Sequence, residues 1–310
     1  MQADSMFPVM GSTAHVTVVG GAVDLAESAR ERLEDLEARW SRFIPSSEIS
    51  RLNHAEGRPC LVSEETRLLV RRALDAFTVT AGRFDPTLLG AVLRAGYVES
   101  FDRRPPRSRA SSSTLQTGAH RIEIDDAVGT VRIPVGVGFD PGGIGKGLAA
   151  DMVSAELMDR GADGVSVNVG GDLRVRGDAP DGEAWRIAID DPWGRTEPIA
   201  RIRIRDGAVA TSSRLSRRWV RTDGAVRHHL LDPDTGTSVR TPVLATTVVA
   251  AAGWQAEALS KAVFLDAHRG MELVNARGSA ALVVLPDGLL TTRGWSVLTD
   301  TAMADSGMRS

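Results

Sequence analysis

The amino-acid sequence predicts an α+β fold, a mixed architecture in which two interleaved halves make one unit. Three observations carry this. Amphipathic helices dominate the first third of the chain. Short apolar runs that read as strands crowd the stretch from about residue 120 onward. The order of elements is mixed rather than a strict strand–helix alternation. A chain of 310 residues, 42% apolar and 25% charged, is ordinary globular material with enough length for a sizeable core. The expected organisation is a single domain over residues 1–300 with a disordered tail at 301–310.

The elements follow in order. His15–Gly21 (HVTVVGG) opens as a strand. Leu25, Ala29, Leu33, Leu36 and Trp40 recur at helical spacing with charges between them, which places one apolar stripe on a helix. A second helix fits 63–81, with Ser63 as N-cap and Gly82 near its end. Residues 102–118 are rich in Pro, Ser and Arg and read as a flexible loop. RIEIDD, TVRIPVG, VSVNVGG, WRIAID, PIARIRIR and TTVVAAA read as strands. One helix begins within 143–147 and runs to about Arg160, where Gly161 stops it. Another fits 254–266. No period indicates a repeat protein.

Charge and cysteine content narrow the function. A net charge of -3 gives no basic field for bulk nucleic-acid binding. A single cysteine, Cys60, excludes an internal disulfide and CxxC zinc or iron–sulfur sites. The start, MQADSMFPVMG, has no basic n-region, no signal-length apolar stretch and no lipid-anchor cysteine, and no apolar run is long enough for a membrane span. The expected compartment is the cytoplasm. Of 37 basic residues, 35 are arginine; the two lysines are Lys146 and Lys261. Arg and Lys are interchangeable on a solvated surface but not where a compact ammonium is needed.

Four stretches could carry chemistry. Asp140-Pro-Gly-Gly-Ile-Gly-Lys146-Gly leads a Gly-rich turn into a helix, which suits an anion approached by backbone N–H groups and a point charge. It is not a Walker A loop, because Gly147 follows the lysine. Val167-Asn168-Val-Gly170-Gly171-Asp172 suggests a second close backbone approach, or a plain turn. His228-His229-Leu-Leu-Asp232 offers one histidine as a general base, since adjacent strand residues face opposite ways. Glu257 and Lys261 stand at i and i+4 on a helix among small apolar residues, in the favourable order for an ion pair. Neither zinc-protease nor α/β-hydrolase signatures occur.

Taken in this order, these stretches resemble the FAD:protein FMN transferase (ApbE, flavin transferase) family, whose architecture is T-fold-like. The resemblance also covers Met10-Gly11-Ser12, Ser47-Glu-Ile-Ser-Arg-Leu-Asn53, Thr80-Ala-Gly-Arg-Phe84-Asp85-Pro86-Thr87 and Ala210-Thr-Ser212. It implies FAD as substrate, magnesium as cofactor, and transfer of the FMN phosphoryl to a Thr or Ser hydroxyl of an acceptor protein with release of AMP. A FAD pyrophosphatase giving FMN and AMP, or a FAD-binding protein with a lost metal site, are the alternatives. The resemblance places Met10 and Phe43 near the flavin. Phe84, Asp85, Asp140 and Lys146 are to contact FAD, with Asn168, Gly170 and Gly171 as further cofactor-binding positions. His229 is the implied base or orienting group for the acceptor hydroxyl. The family's metal site looks like A-D-A-x-x-T plus a backbone carbonyl, here that of Gly143. This sequence puts Glu257 and Lys261 in the two side-chain positions. Glu can ligate magnesium, whereas a protonated Lys cannot. The expectation is that Lys261 stands where the metal would, held by Glu257 and facing the diphosphate. The acceptor and the oligomeric state stay open.

Overall fold

The computed structural model describes residues 2–97, 117–215, 218–220 and 226–299. The greater part of the expected 102–118 loop, and the expected disordered tail at 301–310, lie outside the described residues.

Eight strands form one antiparallel sheet: β1 (Gln2–Val9), β2 (Ser12–Val19), β3 (Gly164–Val169), β4 (Asp172–Gly177), β5 (Gly207–Ser213), β6 (Ala245–Ala250), β7 (Ala280–Leu285) and β8 (Gly288–Thr291). Their spatial order is their chain order, with each strand pairing its sequence neighbours. Between β2 and β3 the chain makes α1 (Leu25–Trp40), α2 (Glu48–Asn53), α3 (Glu64–Val79), α4 (Leu89–Ala95) and α5 (Gly145–Asp159). Between β6 and β7 it makes α6 (Gly253–Leu265) and α7 (Ala267–Ala276). Each half is therefore two strands, a helical excursion and two strands. The halves sit side by side in the sheet and share the cleft described below.

The α+β class is thus observed, and the helices fall where periodicity puts them. Leu25, Ala29, Leu33, Leu36 and Trp40 are all buried along α1. Ser63 caps α3, its hydroxyl accepting the Thr66 N–H at 3.3 Å. Gly161 takes φ +92° just past α5, which stops the helix as expected.

Strands β5–β7 are buried along most of their length because they are covered on both faces. Ala208, Ala210, Val248, Ala281 and Val283 face α6 and α7, while Val209, Val249, Ala280 and Leu282 face a separate hairpin. That hairpin, Trp185–Ile189 with Ala200–Ile204, brings Trp185, Ile202 and Ile204 to the same core. Two-sided burial removes the polar alternation that marks a half-exposed strand. Strands β1, β4, β5, β7 and β8 and helices α2, α4 and α7 go beyond the elements read from the sequence. β1 is an edge strand that carries an exposed Met6, and its proline, Pro8, keeps the edge from pairing with another chain.

Where α5 passes α6 the backbones touch. A Cβ on Gly147 would lie 2.4 Å from the Gly253 carbonyl oxygen, and a Cβ on Gly253 would lie 2.4 Å from that of Gly147. Asp151 of α5 accepts the first N–H groups of α6, from Gly253 at 2.7 Å and Trp254 at 3.1 Å. It caps α6 from a neighbouring helix rather than from the preceding residue. From the sheet side, Ser212 Oγ pairs with Ser260 Oγ at 2.8 Å and Thr246 Oγ1 donates to the Ser260 carbonyl at 2.7 Å. Helix α6 is thereby fixed in depth and rotation.

Candidate active site

A cleft of about 830 Å³ opens where the two halves meet. One wall comes from the loop after α1, a second from the loop between α3 and α4, and the floor from the turn into α5. The second half supplies residues 229–231 and Lys261.

The floor and second wall are held by motif residues, of which Asn53 and Thr80 do not themselves line the cleft. Asn53, at the end of the Ser47–Asn53 motif, clamps Phe139 on both sides. Its Nδ2 donates to the Phe139 carbonyl at 2.9 Å and its Oδ1 accepts the Phe139 N–H at 2.7 Å. Asp140 follows at once. Its N–H donates to the Pro86 carbonyl at 2.8 Å, and its Oδ1 accepts the Gly142 N–H at 2.9 Å. Thr80 holds the second wall, its Oγ1 accepting the Phe84 N–H at 2.9 Å. Asp85 Oδ1 in turn accepts both the N–H and the hydroxyl of Thr87, at 2.7 and 2.5 Å.

Nine of the expected site residues line this cleft: Met10, Phe43, Phe84, Asp85, Asp140, Gly143, Lys146, His229 and Lys261; Gly11, Met10's neighbour, lines it too. Met10 has φ 51°, a left-handed conformation that costs a non-glycine residue energy and sits at the tight β1–β2 turn. Gly143 leaves no room for a side chain. A Cβ there would lie 2.7 Å from Phe84 and 3.0 Å from Lys261 Cε.

Four expected residues lie elsewhere. Asn168, Gly170 and Gly171, expected as cofactor-binding positions, are not among the cleft-lining residues and build the β3–β4 hairpin turn. Asn168 Oδ1 accepts the Gly171 N–H at 2.8 Å, and both glycines take positive φ, 61° and 95°. A two-residue turn of this kind needs left-handed backbone, which the glycines supply. The turn packs behind the floor, since a Cβ on Gly170 would strike Ser12. Glu257 lies just behind the wall, its residue only 2% exposed.

The electrostatics of the floor centre on the two lysines. Lys146 forms an ion pair with buried Asp172. Lys261 Nζ donates to the Glu257 carbonyl at 3.1 Å and lies 3.5 Å from Glu257 Oε1. Glu257 Oε2 accepts the Gly147 N–H at 2.9 Å, joining α6 to α5. Burial pushes the Glu257 carboxyl up, and the nearby Asp172 charge adds to the rise, while both lysines oppose it. Burial likewise pushes the Lys261 ammonium down, against the pull of Glu257.

Sequence reasoning missed Arg42. Its guanidinium carbon lies 4.1 Å from the Phe43 ring centre and 4.7 Å from that of Tyr97, and its Nε lies 3.6 Å from Asp140. Phe43 and Tyr97 themselves pack at 5.7 Å. Together they make a cation–aromatic wall beside the cationic floor. The available hint was Arg42-Phe43 adjacency ahead of the Ser47–Asn53 motif, too weak alone among 35 arginines. Of the histidine pair, His229 faces the cleft and His228 packs edge-on against Phe264 at 6.2 Å. Burial lowers the His228 pKa. Asp232, a possible carboxylate partner for a histidine, accepts the Asp234 N–H at 2.8 Å and closes the following turn.

Among the described residues no group of three or more His, Cys, Asp and Glu side chains could hold a metal ion, and no helix is long and apolar enough to cross a membrane.

Comparison with known proteins gives a consistent answer. The model of the ApbE family matches residues 10–283. A FAD:protein FMN transferase of Vibrio cholerae serotype O1 is 28% identical over 288 residues, covering 90% of this chain and 86% of that protein. A FAD:protein FMN transferase of Salmonella typhimurium is 26% identical, covering 90% of this chain and 83% of its own length. The crystal structure of an ApbE protein from Thermotoga maritima superposes with a TM-score of 0.86 at 26% identity, covering 97% of this chain and all of that one.

Proposed function

The chain belongs to the ApbE family, and from that membership and the cleft we propose that it is a FAD:protein FMN transferase. The observation that carries the chemical side of this reading is the meeting of an aromatic wall, Phe43 with Arg42 and Tyr97, and a floor bearing Lys146 and Lys261 in one cleft. An isoalloxazine ring calls for the first and a diphosphate for the second.

In this reading the flavin lies against Met10 and Phe43, and the diphosphate over Gly143 and Lys146, with Phe84, Asp85 and Asp140 shaping the second wall. The acceptor's Thr or Ser oxygen bonds to the FMN phosphorus. The bond from that phosphorus to the bridging oxygen breaks, and the bridging oxygen leaves with AMP. His229 takes the hydroxyl proton. Such a transfer needs little covalent help from the protein; alignment and neutralisation of charge do most of the work.

Magnesium does not fit these residues. Glu257 gives one oxygen to a backbone N–H, and an ammonium faces the other. No step is therefore assigned to it. The acceptor is a protein that presents a Thr or Ser hydroxyl at the mouth of the cleft. A cytoplasmic setting agrees with the unpaired, partly exposed Cys60.

The test is to incubate the full chain with FAD and a candidate acceptor, then weigh the acceptor by mass spectrometry. An FMN-sized gain on Thr or Ser, with equal AMP release, is expected, and His229→Ala should abolish it while FAD still binds. AMP release without any gain on the acceptors of related transferases would sink the transferase reading.

A further inference from the structure

We propose that Lys261 itself supplies the cation for the substrate's diphosphate, so that this cleft holds a flavin dinucleotide without a divalent metal. The proposal rests on the FAD reading above and adds to it the charge that fixes the diphosphate.

The first support is placement. A chain that uses arginine for 35 of its 37 basic residues keeps lysine at two positions, and both lie on one cleft floor. Lys146 is already engaged by Asp172. Lys261 is 17% exposed through the cleft, and its ammonium has three N–H donors. Two of them face Glu257, toward its carbonyl and its Oε1. The third remains for a ligand above the floor.

The second support is fit. Lys261 Cε lies 3.0 Å from where a Gly143 Cβ would stand, so the stem runs directly beside the Gly-rich turn. A flat guanidinium is wider than an ammonium and would crowd that turn, which explains why arginine has not replaced lysine here. The Phe84 ring lies 2.7 Å from the same point. The stem therefore leaves α6 beside Gly143, and Glu257 fixes the ammonium at its end.

The third support is the carboxylate. Glu257 is buried, and its two oxygens are divided between the Gly147 N–H and Lys261. A divalent ion would have to displace the ammonium and find further oxygen ligands, and the described residues offer no cluster of acidic or histidine side chains for it. An ammonium needs only what is present.

The experiment measures FAD binding to the full chain by quenching of flavin fluorescence, in EDTA and in magnesium, alongside electron paramagnetic resonance of added manganese. Three results are expected. The affinity is the same within about twofold in EDTA and magnesium. FAD does not immobilise manganese on the protein. The Lys261→Met/Glu257→Gln variant, which removes both charges and leaves no buried carboxylate unpaired, loses affinity about tenfold or more, and magnesium does not restore it. The Glu257→Asp/Lys261→Thr variant should in contrast bind FAD well only with magnesium, and should immobilise manganese. FAD binding by the unaltered chain that requires magnesium, or a bound-manganese signal with FAD, overturns the proposal and leaves the transferase reading standing. Failure of FAD to bind under either condition overturns both.

Discussion

Replacing Gly147 by alanine probes the joint between the two halves. The added Cβ would stand 2.4 Å from the Gly253 carbonyl oxygen, 2.5 Å from its carbon and 2.9 Å from the Trp254 nitrogen, all backbone atoms that cannot rotate away. Ordinary contact is about 3.5 Å, so α5 and α6 must part by roughly 1 Å. That would stretch the 2.9 Å bond from the Gly147 N–H to Glu257 beyond hydrogen-bonding range. Overpacking costs about 1–3 kcal/mol. A buried carboxylate that loses a donor costs about 1.5–3 kcal/mol more. Alanine recovers about 1 kcal/mol of helix propensity. The net is a loss of about 2–5 kcal/mol. With unfolding entropy of about 2.1 cal/mol/K per residue, a chain of this length should melt about 3–8 °C lower. Gly145→Ala on the same helix is the control. Its Cβ would meet only Pro141 Cβ at 3.6 Å, an ordinary contact, so stability should stay within about 1 kcal/mol. Thermal melts and urea titrations of both variants decide it. A Gly147→Ala protein that melts at or above the unaltered chain refutes the close approach.

Three further outcomes are expected. Asp151→Asn removes an acceptor from the start of α6 and a charge 3.3 Å from Arg174, whose side chain is only 4% exposed; urea unfolding should show a loss of about 2–4 kcal/mol, and a change under 0.5 kcal/mol would contradict the capping role. Lys146→Met leaves the buried Asp172 carboxylate without its ammonium and should cost about 3–5 kcal/mol by the same measurement, with Lys146→Met/Asp172→Asn recovering part of it. Thr17 Oγ1 donates to Asp4 at 2.6 Å and holds its carboxyl below the usual value. The stability this contributes is present above about pH 4 and is lost as pH falls through the lower folded value. Thr17→Val should therefore be less stable than the unaltered chain at pH 6, with the gap closing in acid; a gap that is the same at pH 6 and pH 2.5 contradicts the assignment.

What the sequence made legible is what depends on local spacing. The α1 stripe, the Ser63 cap and the Gly161 stop are each set within a few residues, and each appears where expected. Strands β5 and β7 were not legible, because burial on both faces removes the period-two alternation: β7 is an unbroken apolar run, and β5 sets small apolar residues beside Thr211, Ser212 and Ser213. The doubled strand–helix–strand plan was hidden for another reason. One half carries five helices in its excursion and the other two, so no period survives in the sequence.

The site divides the same way. Motif residues with large or charged side chains reach the cleft, as Phe84, Asp140 and Lys146 do. Asn168, Gly170 and Gly171 do not, because glycine marks any place where backbone must turn left-handed, with or without a ligand. Arg42 carries only a weak local mark, its adjacency to Phe43. Its place against two rings is created by a return of the chain 55 residues later, at Tyr97. Glu257 lies behind the wall because its helix is fastened from both sides, by Gly147 in front and by Ser212 and Thr246 beneath.

The order of strands in the sheet has a consequence for how the chain is made. Because each strand pairs with its neighbours in sequence, β1 to β4 with α1 to α5 are complete before β5 is synthesised. That half has all its strands and helices before the second half adds along the β4 edge, and its core is closed last by Trp254 and Ala258 of α6. His229 and Lys261 are among the last parts of the cleft to arrive. A nascent chain thus presents the aromatic wall and the Gly-rich turn well before it has His229 or the second ammonium, and the cleft is complete only with nearly the whole polypeptide in place.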